Sequence, residues 1–275
     1  MKLISHTVML VAVVLCALSS AATAADWYVS PDGAAGNPGT IAEPLRTVME
    51  AQALASAGDT VYLRGGTYLL SNADISVIGS VRAVVNNIVK DGIAYLAYPG
   101  ERPIFDFSSV TPVDRRVAAF RVAASNCVFK GFDVVGVRIT IADRHTQSEA
   151  FFVDGGNGNL FDNLAIHDGQ AIGWYLVSGS NNRVHNVDAY NNRGLNAFSD
   201  GNIDGFGVHP TLAGSTGNII EDSRAWFNSD DGFDLINAAA VVTLQRNWSF
   251  YNGYDTNFNK LGNGAGFKAG GYGRN

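Results

Sequence analysis

The chain has 275 residues and a formal net charge of −6, and only 16% of its residues are charged. This acidic balance argues against nucleic-acid binding, because proteins that bind phosphate backbones present a basic stripe. The length allows one large repetitive domain or two ordinary domains. Glycine is abundant at 31 residues and no Pro/Ser-rich linker interrupts the sequence, which favours one domain.

The first 24 residues have the features of a secretory signal peptide. Lys2 precedes an apolar run at residues 8–18, and Ala-Thr-Ala at residues 22–24 fits a signal-peptidase site. No later segment approaches the roughly 20 apolar residues of a transmembrane helix. We therefore expect an exported protein without a membrane segment, spanning residues 25–275. Cys127 would be its one cysteine, predicted to be a small buried residue rather than a reactive thiol.

The N-terminal part predicts short strands around one helix. Residues 27–33 read as a strand followed by a turn. Residues 44–57 have an approximately helical spacing of apolar residues, broken by Gln52, and predict a short helix that caps the end of a core. Residues 59–68 read as two strands joined at a glycine corner.

From about residue 125 the sequence is quasi-periodic. The repeats can be aligned on Asn126, Asn159, Asn182, Asn218 and Val242, at offsets of 33, 23, 36 and 24 residues. A unit of 23 to 24 residues with two insertions explains these offsets, and periods of this size indicate stacked repeats. A second column supports the alignment, formed by Asp168, Asn191, Asn228 and Asn252.

The repeated segments predict an all-β fold, a right-handed parallel β-helix. They are short, rich in β-branched and aromatic residues, and separated by glycine and asparagine, whereas long 3.6-residue periods are missing. Stacked asparagines can satisfy polar groups at each corner. A third column contains Tyr190, Trp226 and Phe250. We interpret it as core packing in preference to a sugar-binding surface.

Four aspartates are the candidate metal ligands. They lie in two Gly-Phe segments, Asp204 in the first and Asp230, Asp231 and Asp234 in the second. If these segments are neighbouring turns, their carboxylates converge, and Ca²⁺ requires several oxygen ligands of this kind. The alternative for each string is a solvated turn.

Lys268 is the candidate catalytic base. It follows a third Gly-Phe pair, 34 residues after Asp234. A nearby cation and partial desolvation would disfavour its ammonium form and lower its pKa. The resulting hypothesis is proton abstraction beside a metal-bound carboxylate.

These motifs resemble the pectate lyases of polysaccharide lyase family 9. The most specific are Asp204-Gly-Phe-Gly, Ser229-Asp-Asp-Gly-Phe-Asp and Gly264-Ala-Gly-Phe-Lys. The resemblance implies Asp204, Asp230, Asp231 and Asp234 as calcium ligands and Lys268 as the base of β-elimination on an acidic polysaccharide, polygalacturonate. The chain ends seven residues after Lys268, so we expect C-terminal rungs of the family to be missing. We also expect a monomer.

Two other functions fit parts of the pattern. A polygalacturonase-like hydrolase shares Asn-x-Asp and Asp-Asp motifs, as in Asn202-Ile-Asp204 and Asp230-Asp231. It also requires a downstream Gly-His-Gly, but the last histidine is His209. A non-catalytic, calcium-stabilised β-helix that binds carbohydrate is the other alternative, in which Lys268→Ala would remove no turnover.

Overall fold

The computed structural model describes residues 23–141 and 147–270. Nearly all of the predicted signal peptide lies outside these residues. The described strands are β1 (Asp26–Val29), β2 (Thr60–Leu63), β3 (Gly66–Ser71), β4 (Val77–Ile78), β5 (Arg82–Ile88), β6 (Ala94–Ala97), β7 (Pro103–Ser109), β8 (Arg116–Val122), β9 (Val128–Lys130), β10 (Asp133–Val135), β11 (Ser148–Asp154), β12 (Leu160–Asp162), β13 (Ala165–His167), β14 (Ala171–Ser178), β15 (Arg183–His185), β16 (Asp188–Tyr190), β17 (Phe206–Val208), β18 (Asn218–Glu221), β19 (Arg224–Trp226), β20 (Phe233–Asp234), β21 (Val242–Gln245), β22 (Trp248–Phe250) and β23 (Phe267–Lys268).

The strands form three long sheets that run along one axis. Sheet A has the order β1-β2-β6-β9-β12-β15-β18-β21, and sheet B has the order β3-β7-β10-β13-β16-β19-β22. Sheet C has the order β4-β5-β8-β11-β14-β17-β20-β23. Successive turns of the chain pair in parallel, and β4 pairs with β5 in an antiparallel hairpin. The all-β, right-handed parallel β-helix predicted from the sequence is confirmed.

Buried asparagines hold successive turns together. Asn159 donates from its amide to Asn182, and Asn182 donates to Asn218, at 3.0 and 3.1 Å. A second ladder joins Asn192 to Asn228 and Asn228 to Asn252. In each ladder a side-chain amide satisfies a polar group on the next turn, as expected for buried corners.

Two alignments made from the sequence are wrong by one residue. Cys127 rather than Asn126 occupies the position next to Asn159 on the preceding turn. The hydrogen bond from the Cys127 backbone amide to the Asn159 side chain shows this. Asn192 rather than Asn191 belongs to the second ladder, and Gly169 rather than Asp168 contacts it. The alignments of Asn159, Asn182 and Asn218 with Val242 are confirmed by the strand pairing.

The core is a continuous apolar column inside the three sheets. Stacked rings fill it, as in the series Tyr95, Phe129 and Phe161, whose ring centroids are 5.3 and 5.1 Å apart. Cys127 is buried there, as predicted. The column of Tyr190, Trp226 and Phe250 also stacks. It lies on the outside of sheet B, however, because the fully buried residues of β16 and β19 are their alanines.

The N-terminal helix is shorter than predicted. Helix α1 (Val48–Leu54) begins after Thr47, whose side chain caps it together with Glu50. Gln52, which interrupted the apolar pattern, is buried and bonds to the backbone of Asn87 and Val89 next to β5. The helix thereby covers the first turns of the solenoid, as expected for a cap.

A second helix, α2 (Ala197–Asp200), lies in the insertion before β17, and a 3₁₀ turn covers Asn72–Asp74. None of the helices in the described part of the chain has the length and apolarity needed to cross a bilayer.

Candidate metal and base site

The three Gly-Phe segments lie side by side on neighbouring turns, as the sequence predicted. Phe206 pairs with Phe233, and Phe233 pairs with Phe267. Their rings stack at 4.7 and 4.9 Å between centroids, with Phe206 and Phe233 fully buried. This stack fixes the level of the charged residues beside each phenylalanine.

The glycines that precede these phenylalanines, together with Gly173 before Trp174, form a column of close contacts. A Cβ placed at Gly173, Gly205 or Gly232 would lie 2.5 to 2.8 Å from the carbonyl oxygen of the glycine on the next turn, ending at Gly266. Contacts of this kind exclude any side chain. Glycine therefore lets the turns approach each other where the site is built.

Three of the predicted ligands converge. Asp204, Asp230 and Asp231 each offer a carboxylate oxygen, and these oxygens all lie within 4.8 Å of one another. All three residues are almost completely buried, with at most 3% of their surface exposed. The solvated-turn alternative is therefore wrong for these segments.

Backbone amides hold the three carboxylates in place. Asp204 accepts from the amide of Asp231 at 3.1 Å. Asp230 accepts from the amide of Asn263 at 2.9 Å, and Asp231 from that of Ala265 at 2.7 Å. The loop before β23 thus orients two carboxylates of the preceding turn.

Burial and mutual repulsion disfavour ionisation of this cluster. Burial, followed by the charges of the three neighbouring aspartates, raises the pKa of Asp204 well above its ordinary value. Burial and the charge of Asp231 raise the pKa of Asp230 to about 6. A cation among these carboxylates would relieve that cost.

Lys268 lies against the cluster, with its Nζ 2.9 Å from Asp231 and 3.1 Å from Asp234. Burial acts to lower the pKa of Lys268, but these two carboxylates outweigh burial and raise the pKa above its ordinary value. This direction is opposite to the one expected from the sequence. Two ion pairs stabilise the ammonium group, and the expectation had considered only a cation and desolvation.

Asp234 lies beside the convergent group rather than within it. One of its carboxylate oxygens accepts from the Ile236 amide at 2.7 Å, and the other contacts Lys268. Burial acts to raise the pKa of Asp234, but the Ile236 hydrogen bond and the nearby His209 and Lys268 lower it overall. The pKa of Asp234 is therefore shifted in the opposite direction to the pKa values of Asp204 and Asp230.

His209 was assigned no role from the sequence, yet its Nε2 lies 3.7 Å from Asp234. It follows β17 and is two positions beyond Gly207, which pairs directly with Asp234. Because side chains alternate along a strand, this spacing places His209 and Gly207 on one face. The alternation of inward and outward side chains, counted from the buried Phe206, is the sequence signal that could have placed His209 beside Asp234.

The donor set suits a hard divalent cation. Carboxylate oxygens are the ligands that Ca²⁺ prefers, and buried carboxylates with raised pKa values have lost their water without gaining enough positive partners. Asp204, Asp230 and Asp231 would hold the ion, and Asp234 adds a neighbouring negative charge outside this group.

Known proteins resemble this chain along most of its length. The family model described as "Pel9A-like, right handed beta helix region" matches residues 27–275. Pectate lyase L of Dickeya chrysanthemi is 33% identical over 255 residues, which cover 89% of this chain and 55% of that protein. Pectate lyase PEL9 of Emericella nidulans is 30% identical, with 94% and 65% covered.

Two solved structures share the fold. A rhamnogalacturonan lyase superposes with a TM-score of 0.86 and 44% identity, covering 90% of this chain and 62% of that one. Pectate lyase Pel9A gives a TM-score of 0.70 and 29% identity, covering 90% and 60%. The chain thus spans roughly 55–65% of the length of these relatives. By its sequence and its fold, it belongs to the Pel9A-like family of right-handed β-helix proteins.

Proposed function

We propose that this protein is a calcium-dependent pectate lyase that cleaves 4-linked uronic acid chains by β-elimination, with Lys268 as the base. The observation that carries the proposal is the contact of the Lys268 amine with Asp231 and Asp234, beside three convergent buried carboxylates. The names of the relatives, pectate lyase and rhamnogalacturonan lyase, support the reaction class.

The charged residues of the site would have different roles. Asp204, Asp230 and Asp231 would hold Ca²⁺, with Asp234 beside them. When bound, Ca²⁺ would neutralise the carboxylates, compete with the Lys268 ammonium for Asp231, and withdraw electron density from the substrate carboxylate. Lys268 as the neutral amine would take the C5 proton of the uronate. The C5–H electron pair then forms a 4,5-double bond in the new non-reducing end as the C4–O bond breaks, and the departing oxygen takes a proton from solvent water.

The ion pairs of Lys268 set a condition on this chemistry. Lys268 can act as a base only as the neutral amine, whereas Asp231 and Asp234 stabilise its ammonium form. Part of that stabilisation must be lost before the ammonium group gives up its proton. We therefore expect activity to rise towards alkaline pH with calcium saturating. The predicted signal peptide at residues 1–24 would place this reaction outside the cell.

Rhamnogalacturonan is the second candidate substrate. The specific observation that favours it is the 44% identity to the rhamnogalacturonan lyase, against 29% to Pel9A. Both polymers offer a galacturonate linked through its C4 oxygen, so the same base and cation would serve either. The two candidates differ in the sugars that flank the cleaved unit.

The test is the ultraviolet absorbance of the unsaturated product on polygalacturonate and on rhamnogalacturonan. We expect a calcium-dependent rise that chelator abolishes and that Lys268→Ala lowers by a factor of about 10² to 10⁴. Lys130→Ala is the matched control, because Lys130 forms an ion pair with Asp162 on sheet A. Sugar binding without turnover in the unmodified protein would favour the binding β-helix, and saturated reducing ends would favour a hydrolase.

A further inference from the structure

One lateral row of residues leads from Lys268 along the outer face of sheet C. Strand pairing sets Lys268 opposite Asp234, and Asp234 opposite Gly207. Gly207 in turn pairs with Tyr175, and Tyr175 with Phe152. The row therefore continues from the candidate site onto strands that contribute nothing to the carboxylate cluster.

The far end of the row is basic. Phe152 pairs with Arg121, and Arg121 pairs with Asn87 on β5. Neighbouring strands lie about 4.8 Å apart, so the backbone of Arg121 is roughly 24 Å from that of Lys268. A chain of several linked sugar rings would be needed to span this length.

A cavity of about 280 Å³ lies at this end of the row. Arg121, Asn87 and Asp154 line one part of it, and the β4–β5 hairpin lines another. Val84 and Phe152 lie at its base and pack with Ala118, each with at most 5% exposure. The surface that a ligand would meet therefore includes the polar and charged side chains around this base.

Arg121 is held ready for an anion. Its guanidinium donates to Asn87 at 3.1 Å and to Asp154 at 3.0 Å, and 30% of its side chain is exposed. These contacts use two of the five donors of an arginine, whose planar fork matches a carboxylate. Fixing the guanidinium in advance reduces the entropy lost when a ligand binds.

Two arginines, Arg82 and Arg121, line the cavity, and each is paired with a carboxylate. Arg82 forms a two-pronged ion pair with the buried Glu149 and covers Phe152, with its guanidinium carbon 4.0 Å from the ring centroid. Arg82 therefore forms part of the floor, held by Glu149, and Arg121 is the cation of the cavity that lies in the row leading to Lys268.

From this geometry, we propose that the cavity is a distal subsite in which Arg121 binds the carboxylate of a uronate several units away from the cleaved bond. The inference rests on the proposed function for the position of the reacting unit at Lys268. The subsite would make Arg121 a residue that selects long acidic chains. Tyr175, whose ring lies over Gly207 and contacts His209 edge-on at 5.2 Å, lies in the row between its two ends.

The test is calcium-saturated binding, measured by calorimetry with polygalacturonate, rhamnogalacturonan, trigalacturonate and a neutral galactan. We expect Arg121→Gln to weaken binding of an acidic polymer about 10-fold, the factor that corresponds to 1.4 kcal/mol. Trigalacturonate, which is too short to reach both ends of the row, should bind equally to both proteins. Arg121→Lys should recover part of the loss.

Arg224→Gln is the matched control, since Arg224 forms an ion pair with Asp188 on sheet B and removing it changes the net charge equally. Thermal unfolding of each variant establishes that it is folded. Unchanged polymer binding by folded Arg121→Gln would overturn the subsite, as would an equal loss for trigalacturonate. Binding that depends on Arg121 without any turnover would support the subsite while refuting the lyase proposal, so the two proposals fail separately.

Discussion

Asp230→Asn should stabilise the protein in chelator and weaken its response to calcium. The variant keeps an oxygen that can accept from the Asn263 amide, but it removes a buried negative charge next to Asp231. In the metal-free protein that charge is unfavourable, which is why the pKa of Asp230 is raised to about 6. The same charge attracts a divalent cation. The substitution therefore tests separately how much the buried charge destabilises the metal-free protein and how much it contributes to calcium binding.

The magnitude follows from the shift in pKa. An unfolded aspartate has a pKa of about 3.9, and one pKa unit corresponds to about 1.4 kcal/mol. Between these two pKa values the folded protein binds more protons than the unfolded protein. The stability of the metal-free protein consequently falls as pH rises from about 4 to about 6, by up to about 3 kcal/mol for this residue. Asp230→Asn should lack that contribution.

Urea denaturation in chelator at pH 4.5, 6 and 7.5, each within about 0.1 unit, measures the effect. The variant should exceed the unmodified protein by about 1 kcal/mol at the lowest pH and by about 3 kcal/mol at the highest. With calcium, stabilisation at 100 times Kd amounts to about 2.7 kcal/mol, and the variant should show less of it at equal calcium. Asp32→Asn, which removes an exposed charge, is the control. A metal-free variant that is less stable than the unmodified protein at pH 7.5 would refute the reasoning.

Three further substitutions test how the solenoid holds the site. Asn228→Ala removes a fully buried member of the second ladder and its side-chain hydrogen bonds with Asn192, Asn252 and the Ala189 carbonyl. The unfolding free energy measured in urea should therefore fall by about 3 kcal/mol, and an unchanged value would show that the ladder does not stabilise the fold. Asp59→Ala removes the acceptor of three hydrogen bonds near the N-terminus and should cost about 2 kcal/mol at neutral pH. Hydrogen bonds lower the pKa of Asp59, so its contribution should be present above about pH 4 and lost on acidification; a loss that is the same at pH 3 and 7 would contradict this. Gly232→Ala would place a Cβ 2.8 Å from the carbonyl oxygen of Gly266. Calcium affinity measured by calorimetry should fall even where the variant folds. An unaltered affinity would show that the close contact at Gly232 is not needed for the metal site.

The sequence predicted the fold class because apolar spacing and turn residues recur on every rung. At two corners the register predicted from the sequence is wrong by one residue. At those corners the chain adopts a left-handed backbone conformation at Asn126, Asp168 and Asn191, with φ between 51° and 58°. Asparagine is favoured both there and at the adjacent ladder position. Two neighbouring positions with one preference cannot be distinguished by spacing.

The outward aromatic column was misinterpreted for a related reason. Aromatic rings were assigned to the core because they are large and apolar, yet Ala189 and Ala225 occupy the inward positions. Tyr190 and Trp226 stack with each other along the outside of the sheet, with centroids 4.3 Å apart. Size alone does not tell which face of a strand a residue occupies, since stacking along a solenoid is available on either face.

The candidate site was predictable to the extent that it depends on neighbouring turns. The convergence of Asp204, Asp230 and Asp231 and the contact of Lys268 with Asp234 follow from placing three Gly-Phe segments level. The direction of the Lys268 pKa shift was not predictable, because it depends on Nζ lying between two carboxylates. Distances of this kind come from packing rather than from spacing.

The glycine column has a consequence for how the protein tolerates change. Each glycine from Gly173 to Gly232 leaves room for a carbonyl group on the following turn, so its neighbour in space is another glycine far away in the sequence. A bulkier residue at one level would push that carbonyl outward and disturb the next level in the same way. Sensitivity to substitution should therefore spread parallel to the solenoid axis and bypass adjacent residues of the chain. Variation along this column would have to be concerted across several turns.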